Sequence, residues 1–165
     1  MTNFWLEAWD ERGLALERRA NVPEMQTYLG GVESEESMQA RHRRILDTID
    51  GAMFLIMVEG ETDPVGSVGY WEKEWLGHPV WELGWKVLPG FQGRGLAVGA
   101  TVAALGLAAA QGRHRWAHAY PKVDNAPSNA VCRKAGFELR DEVDFEYPLG
   151  HPIRCNDWRY DLQKA

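Results

Sequence analysis

Apolar residues recur with a period of two over positions 4–9 and then with helical spacing over about 11–29 and 34–49, so a strand followed by two helices opens the chain. Ser34, followed by Glu35 and Glu36, supplies a hydroxyl cap and two acids for the second helix start. Positions 52–58 form a dense apolar strand, 59–64 a turn and 65–75 a second strand. After Gly77-His78-Pro79, read as a turn, 80–88 forms a third. These strands make an antiparallel meander. From 96 to 111 nearly every residue is apolar or small, which predicts a buried helix ending at Gly112. A strand at 115–120, a helix at 125–135 with Gly136 as its C-cap, and strands at about 137–146 and 153–162 complete the chain. Repeats, linkers and low-complexity segments are absent from it.

The 165 residues, 45% of them hydrophobic, suit one domain with its own core. The apolar run at 96–110 falls short of the roughly 20 residues that cross a bilayer, and no basic stretch precedes an apolar one at the N-terminus. A soluble, cytoplasmic protein without membrane association is expected. Cys132 and Cys155 are too few for a disulfide framework and lack metal-ligand spacing. The net charge of −6 argues against nucleic acid as the main partner. Charge is also segregated: positions 83–123 contain Lys86, Arg94, Arg113, Arg115 and Lys122 and none of the 24 acids. Such a window suits an anionic ligand, although the apolar helix within it accounts for part of the gap.

The third strand of the meander runs through Val87-Leu88-Pro89-Gly90-Phe91-Gln92-Gly93-Arg94-Gly95-Leu96-Ala97 into the apolar helix. At a helix N-terminus the first amides lack intrahelical partners and the dipole favours an anion, so glycines there let phosphate oxygens reach the backbone. Arg94 adds a cation suited to phosphate. A plain turn easing the chain into a helix explains the same glycines. Two other phosphate loops are excluded by spacing. Gly93, Gly95 and Gly99 have one residue too many for G-x-G-x-x-G, and Leu96 stands where a P-loop needs lysine.

A second motif, Asn125-Ala126-Pro127-Ser128-Asn129, opens the later helix, which ends in Lys134-Ala135-Gly136-Phe137. With Gln92-Gly93-Arg94-Gly95-Leu96-Ala97 upstream, the chain resembles the GNAT superfamily of acyl-CoA-dependent N-acetyltransferases, and the order of elements matches from about 4 to 163. Glu82-Leu83-Gly84-Trp85 is similar to the RimL-like branch, whose members acetylate protein N-termini, polyamines or antibiotics. The resemblance implies an α+β, three-layer fold. Its central sheet has about seven mostly antiparallel strands, helices on both faces, and a V-shaped split between the fourth and fifth strands. It also implies acetyl-CoA as co-substrate: Trp85, Lys86, Val87 and Leu88 would bind the pantetheine arm through their backbone, Gln92 to Ala97 the pyrophosphate, and Asn125, Ser128 and Cys132 the arm's other side. Asn125 suits an N-cap equally well.

Transfer of an acetyl group to an amine needs an unprotonated nucleophile, a stabilised oxyanion and a thiolate that can leave. An amine with a pKa near ~10.4 needs a base at neutral pH. Glu82 is the candidate, on the strand face it shares with Gly84 and Lys86, opposite Trp81, Leu83, Trp85 and Val87. A bulge at Gly84 would spoil that register, and a plain surface pair with Lys86 is the competing role for Glu82. A backbone N–H near Val87 is expected to meet the oxyanion. Many members of the family carry a tyrosine where this chain has Cys132, so Ser128, Tyr120 or water is left to protonate the thiolate. Trp71, Glu72, Trp81 and Glu82 are expected to form the acceptor pocket, where an ammonium meets aromatic faces and carboxylates; core filling explains the tryptophans too. No metal is called for.

Two functions fit these residues. One is acetyl transfer to a primary amine, either a protein N-terminus or a small molecule. The other is a non-catalytic acyl-CoA-binding module, which the cysteine at 132 favours. The aromatic C-terminal strands, with Trp158 and Tyr160, suit either a homodimer interface or the core.

Overall fold

The computed structural model describes residues 2–165. Its elements run β1 (Phe4–Ala8), α1 (Arg12–Ala20), α2 (Pro23–Gln26), α3 (Glu35–Leu46), β2 (Gly51–Val58), β3 (Gly66–Trp75), β4 (His78–Val87), α4 (Leu96–Gln111), β5 (Trp116–Ala119), α5 (Ala126–Ala135), β6 (Glu138–Glu146) and β7 (Pro152–Asp161). One seven-stranded sheet has the order β1-β2-β3-β4-β5-β7-β6, antiparallel throughout except for the parallel pair β4–β5. The expected α+β architecture is therefore present. Pro23 divides the helix read over 11–29, because a proline fits the first turn of a new helix and not the interior of an old one.

Alternation along β2 explains the three layers. Ile56 and Val58 join the core under α4, while Leu55 and Met57 join Leu16, Ala20 and Leu88 under α1. The strand is dense in apolar residues because both its faces are buried. On α4, Leu96, Ala100, Ala104, Leu105 and Ala108 turn inward, and the small residues let the helix lie close to the sheet.

The β3–β4 hairpin turns at Leu76 and Gly77, with φ of 50° and 83°, two left-handed residues as a two-residue hairpin of this twist requires. His78 and Pro79 belong to β4, opposite Trp75 and Glu74, and not to the turn. The register continues without a bulge to Gly66↔Val87. Leu88 N–H donates to Val65 O at 2.9 Å, so by alternation even-numbered β4 residues bond to β3 and odd-numbered ones face β5. Pro79, which has no N–H, falls on the side that needs none from it.

Candidate active site

The parallel pairing of β4 with β5 consists of two residue pairs, Trp81↔Ala117 and Glu82↔His118. Beyond Glu82 the strands part, leaving the backbone of Leu83, Trp85 and Val87 on a free edge. An edge of this kind can bond an extended ligand as though it were another strand. The carbonyl of Val87 is already taken, since Gln92 Nε2 donates to it at 2.9 Å. Lys86 and Leu88 do not belong to this edge. Their backbone faces β3, the Lys86 ammonium bonds Glu17 at 3.0 Å, and Leu88 is buried under α1. Of the four residues expected to meet the pantetheine arm through their backbone, Trp85 and Val87 lie on the free edge and Lys86 and Leu88 do not.

About 17 Å of strand, at ~3.3 Å per residue, separates Glu82 from Val87, and beyond Val87 comes the glycine turn. Gly93 and Gly95 both have φ of 76°, and a Cβ placed on either would meet nothing within 4 Å. Gly95 is the N-cap of α4 and offers no side-chain cap to the first-turn amides, among which no acid intrudes. The turn is thus an open cradle of free N–H groups whose left-handed backbone suits glycine. It fits the diphosphate of a coenzyme A moiety. The Arg94 guanidinium sits beside it, on Gly90 O at 3.2 Å and over the Phe91 ring. Leu96 points into the core and lends only its amide.

At the other end of the free edge lies a cavity of about 430 Å³ whose wall includes Trp71, Glu82, Gly84, Trp85, Asn125 and Ser128. Glu82 and Trp71 stand opposite each other on one face. The Trp71 ring covers Gly84 so closely that a Cβ there would approach it to 2.6 Å. Burial pushes the Glu82 carboxyl above the usual carboxylate range against the opposing pull of Lys73, whose ammonium is 3.9 Å away. Lys73, not Lys86, is the cation beside Glu82. Asn125 accepts from Ser128 N–H at 3.2 Å as the cap of α5 and also contributes to the cavity wall.

Three residues expected at the site are elsewhere. Glu72 and Trp81 lie on the α4 face: Glu72 bonds His114 at 2.9 Å and Arg113 at 3.4 Å, and Trp81 is buried edge-on to Tyr70. Period-two alternation separates both from Glu82, so they cannot share its pocket. Cys132, on α5, is fully buried in the core, where burial pushes its thiol up to about 12, and it is not among the residues that line the cavity. The charge segregation seen along the chain is also largely undone on folding. Lys86 pairs with Glu17, Arg113 with Asp50 and Glu72, and Arg115 with Asp161. Among the described residues Arg94 and Lys122 have no such partner.

Other residues reach the site only through tertiary packing. Next to Glu82 in the β4–β5 pairing, His118 Nδ1 lies 2.6 Å from the buried Asp157 carboxylate, which also accepts from the Trp75 indole at 3.2 Å. Tyr120 stacks on His118 with planes 10° apart. Its hydroxyl is buried without a partner, and burial raises the phenol, so it stays protonated. Asn129 is buried and makes four side-chain bonds: it donates to the carbonyls of Lys122 and Asn125 and accepts from Asn156 and the Trp158 indole. It thereby holds the start of α5, and with it Asn125 and Ser128, against β7. Among the described residues no cluster of His, Cys, Asp and Glu is placed to hold a metal ion, and no helix is long and apolar enough to cross a membrane.

Solved structures share this fold. The acetyltransferase (GNAT family) from Bacillus anthracis superposes with a TM-score of 0.79 at 18% identity, over 99% of each chain. A spermidine N-acetyltransferase from Vibrio cholerae, in complex with CoA and spermine, gives 0.79 at 16% identity, over 98% of this chain and 96% of that one. An acetyl transferase from Salmonella typhimurium that modifies the N-terminal serine of 50S ribosomal subunit protein L7/L12 gives 0.78 at 23%, with the same coverage. No curated protein matches the sequence. The acetyltransferase (GNAT) domain family matches residues 4–138, most of the chain and both ends of the slot. The chain therefore belongs to the GNAT acetyltransferase family.

Proposed function

We propose that this acetyltransferase is acetyl-CoA-dependent and moves the acetyl group directly to a primary amine, with Glu82 as the base. The observation that carries the reading is the position of Glu82. It is the last β4 residue paired with β5, where the free edge begins, in a cavity walled also by Asn125 and Ser128. A raised carboxyl suits the task, because a base is most effective when its pKa approaches the working pH.

In this reading the Gly93–Gly95 turn and the first amides of α4 hold the diphosphate. Trp85 and Val87 bond the extended arm from one side, and Asn125 and Ser128 border it on the other. The ammonium of the acceptor gives a proton to the Glu82 carboxylate. Its lone pair then attacks the thioester carbonyl, whose oxygen draws charge stabilised by a backbone N–H of the free edge near Glu82; Val87, the position expected from the sequence, lies about 17 Å along the strand and too far from the base for that role. The C–N bond forms, the C–S bond breaks and the thiolate leaves, while the second proton of the nitrogen passes to the departing sulfur or to solvent as the amide forms. Ser128 and the Tyr120 phenol are two of the hydroxyls in the cavity wall, and can donate to the departing sulfur. Full protonation is not required, since a thiol pKa near ~8.5 makes the thiolate a tolerable leaving group. Cys132 takes no part, which favours direct transfer over an acyl-cysteine route. Spermidine and a protein N-terminal serine, the acceptors named for two of the structural relatives, mark the two acceptor classes to try first. The second would place the chain in the RimL-like branch.

Release of free thiol from acetyl-CoA, followed across polyamines, aminoglycosides and peptides with free N-termini, tests the reading. Amine-dependent release that falls at least a hundredfold in kcat/KM in Glu82→Gln is the expected result. Release that persists in the variant removes Glu82 from the role of base.

A further inference from the structure

A lysine on a strand normally extends into water. Lys73 does not. Its ammonium lies 5.8, 5.4 and 5.2 Å from the ring centroids of Trp75, Tyr120 and Phe145 and 3.9 Å from the Glu82 carboxylate. Three strands supply these rings or lead into them: β3 carries Trp75, β5 ends just before Tyr120, and β6 carries Phe145. The rings also pack on one another. Trp75 and Tyr120 are 5.0 Å apart, Trp75 and Phe145 5.5 Å, and Tyr120 and Phe145 5.2 Å edge to face. Three aromatic faces and a carboxylate converging on one point make a cage for a cation.

The cage is built to persist without Lys73. The indole of Trp75 is held by its bond to Asp157, and the Tyr120 ring by its stack on His118. The His118–Asp157 pair that anchors both is itself buried. Lys73 is the mobile member: its side chain is 28% exposed, its stem has four methylenes, and its ammonium is readily hydrated once outside. Tyr120, Phe145 and Lys73 line the same cavity as Glu82 and Ser128.

We propose that this cage is the binding subsite for the ammonium group of the acceptor, and that Lys73 fills it in the free protein and is displaced when an acceptor enters. The inference rests on Glu82 being the base, because the caged cation is the group whose proton Glu82 takes. It names the acceptor as an alkylammonium ion, recognised through its charge and its N-methylene rim. It also assigns Lys73 a purpose. While no acceptor is bound, the cage and the carboxylate keep a cationic occupant and are not left bare, and each acceptor competes with a tethered rival.

Tetramethylammonium tests the cage without testing the chemistry, because it has no N–H to acetylate. In titration calorimetry without acetyl-CoA, Lys73→Met should bind it at least tenfold more tightly than the unaltered protein, and adding Phe145→Leu should abolish the gain. Equal affinity in Lys73→Met and the unaltered protein overturns the proposal. A second measurement needs no variant. Modification of Lys73 by an amine-reactive reagent, read by mass spectrometry, should accelerate severalfold when tetramethylammonium is added, and an unchanged rate overturns displacement. Tight binding by Lys73→Met together with a Glu82→Gln enzyme that still transfers acetyl would uphold the cage while removing the base.

Discussion

Replacing Asn129 with alanine is a stringent test of how this site is held. Of its four partners, two keep other bonds: Lys122 O still accepts from Asn125 N–H, and Asn125 O from Asn129 N–H. The loss falls on the other two. The Trp158 indole, 4% exposed, is left as a buried donor without an acceptor, at a cost of about 1–3 kcal/mol. Asn156, half-buried, can turn to water for about 0.5–1 kcal/mol. The vacated volume adds about 1 kcal/mol. The total is about 2.5–5 kcal/mol, or about 5–20 °C in Tm for a chain of this length. Urea unfolding with an unchanged m-value is the assay. In the Asn129→Ala background, Trp158→Phe removes the orphaned donor, so the double variant should fall short of the sum of the single costs by about 1–2 kcal/mol. A loss below about 1 kcal/mol in Asn129→Ala, or strict additivity, refutes the reasoning. The same variant should also raise KM, because Asn125 and Ser128 are positioned by the turn that Asn129 ties down.

Other consequences follow from the geometry. Since burial raises the Glu82 carboxyl, the folded protein holds that proton more tightly than the unfolded chain, and the residue costs stability as pH rises from about 4.5 through its folded value. Glu82→Gln should therefore be no more stable than the unaltered protein near pH 4.5 and more stable at pH 8 by thermal unfolding; a variant less stable at pH 8 contradicts this sign. Gly95→Ala should cost about 1–2 kcal/mol from its left-handed backbone and raise the KM for acetyl-CoA more than tenfold. Gly112→Ala, at the other end of α4 with φ of 65° and equal space, should carry a similar backbone cost and leave KM alone; equal KM effects would dismiss the cradle. Cys132→Ala should keep kcat within about twofold while losing about 1 kcal/mol of stability, and a large fall in kcat would reopen an acyl-cysteine route.

Much of this arrangement could be read from local patterns. Alternation assigned Glu82 and Gly84 to one face of β4 and Trp81 to the other, and the glycines at 93 and 95, open to a cradle or to a plain turn in the sequence, both take a left-handed backbone. The errors came where local pattern meets packing. Glu72 and Trp81 were grouped with Glu82 by nearness in sequence, although strand alternation sends them to the opposite layer. The cationic stretch at 83–123 suggested an anionic ligand, but most of its cations meet acids that arrive from α1, β3, β7 and the residue just before β2. The Lys73 cage and the His118–Asp157 pair left almost no trace in the linear sequence, since β3, β5, β6 and β7 supply or lead into them from positions as far apart as 73 and 157. A lysine two residues before a tryptophan on a strand shares its face, and that was the one clue available.

The two residue pairs that join β4 to β5 also bear on how the chain assembles. β2, β3 and β4 are joined by two hairpins, so that part of the sheet can form from contacts near in sequence, whereas β1 reaches β2 only across α1, α2 and α3. The β5–β7–β6 half must wait for α4 to cross the sheet before its two-pair junction can close, and loop closure over that distance yields few strand bonds in return. The junction is therefore a late event in folding and a weak line in the native state. The amides of β5 should exchange with solvent through openings that leave the β1–β4 meander protected, in two cooperative units divided at the same place where the slot begins.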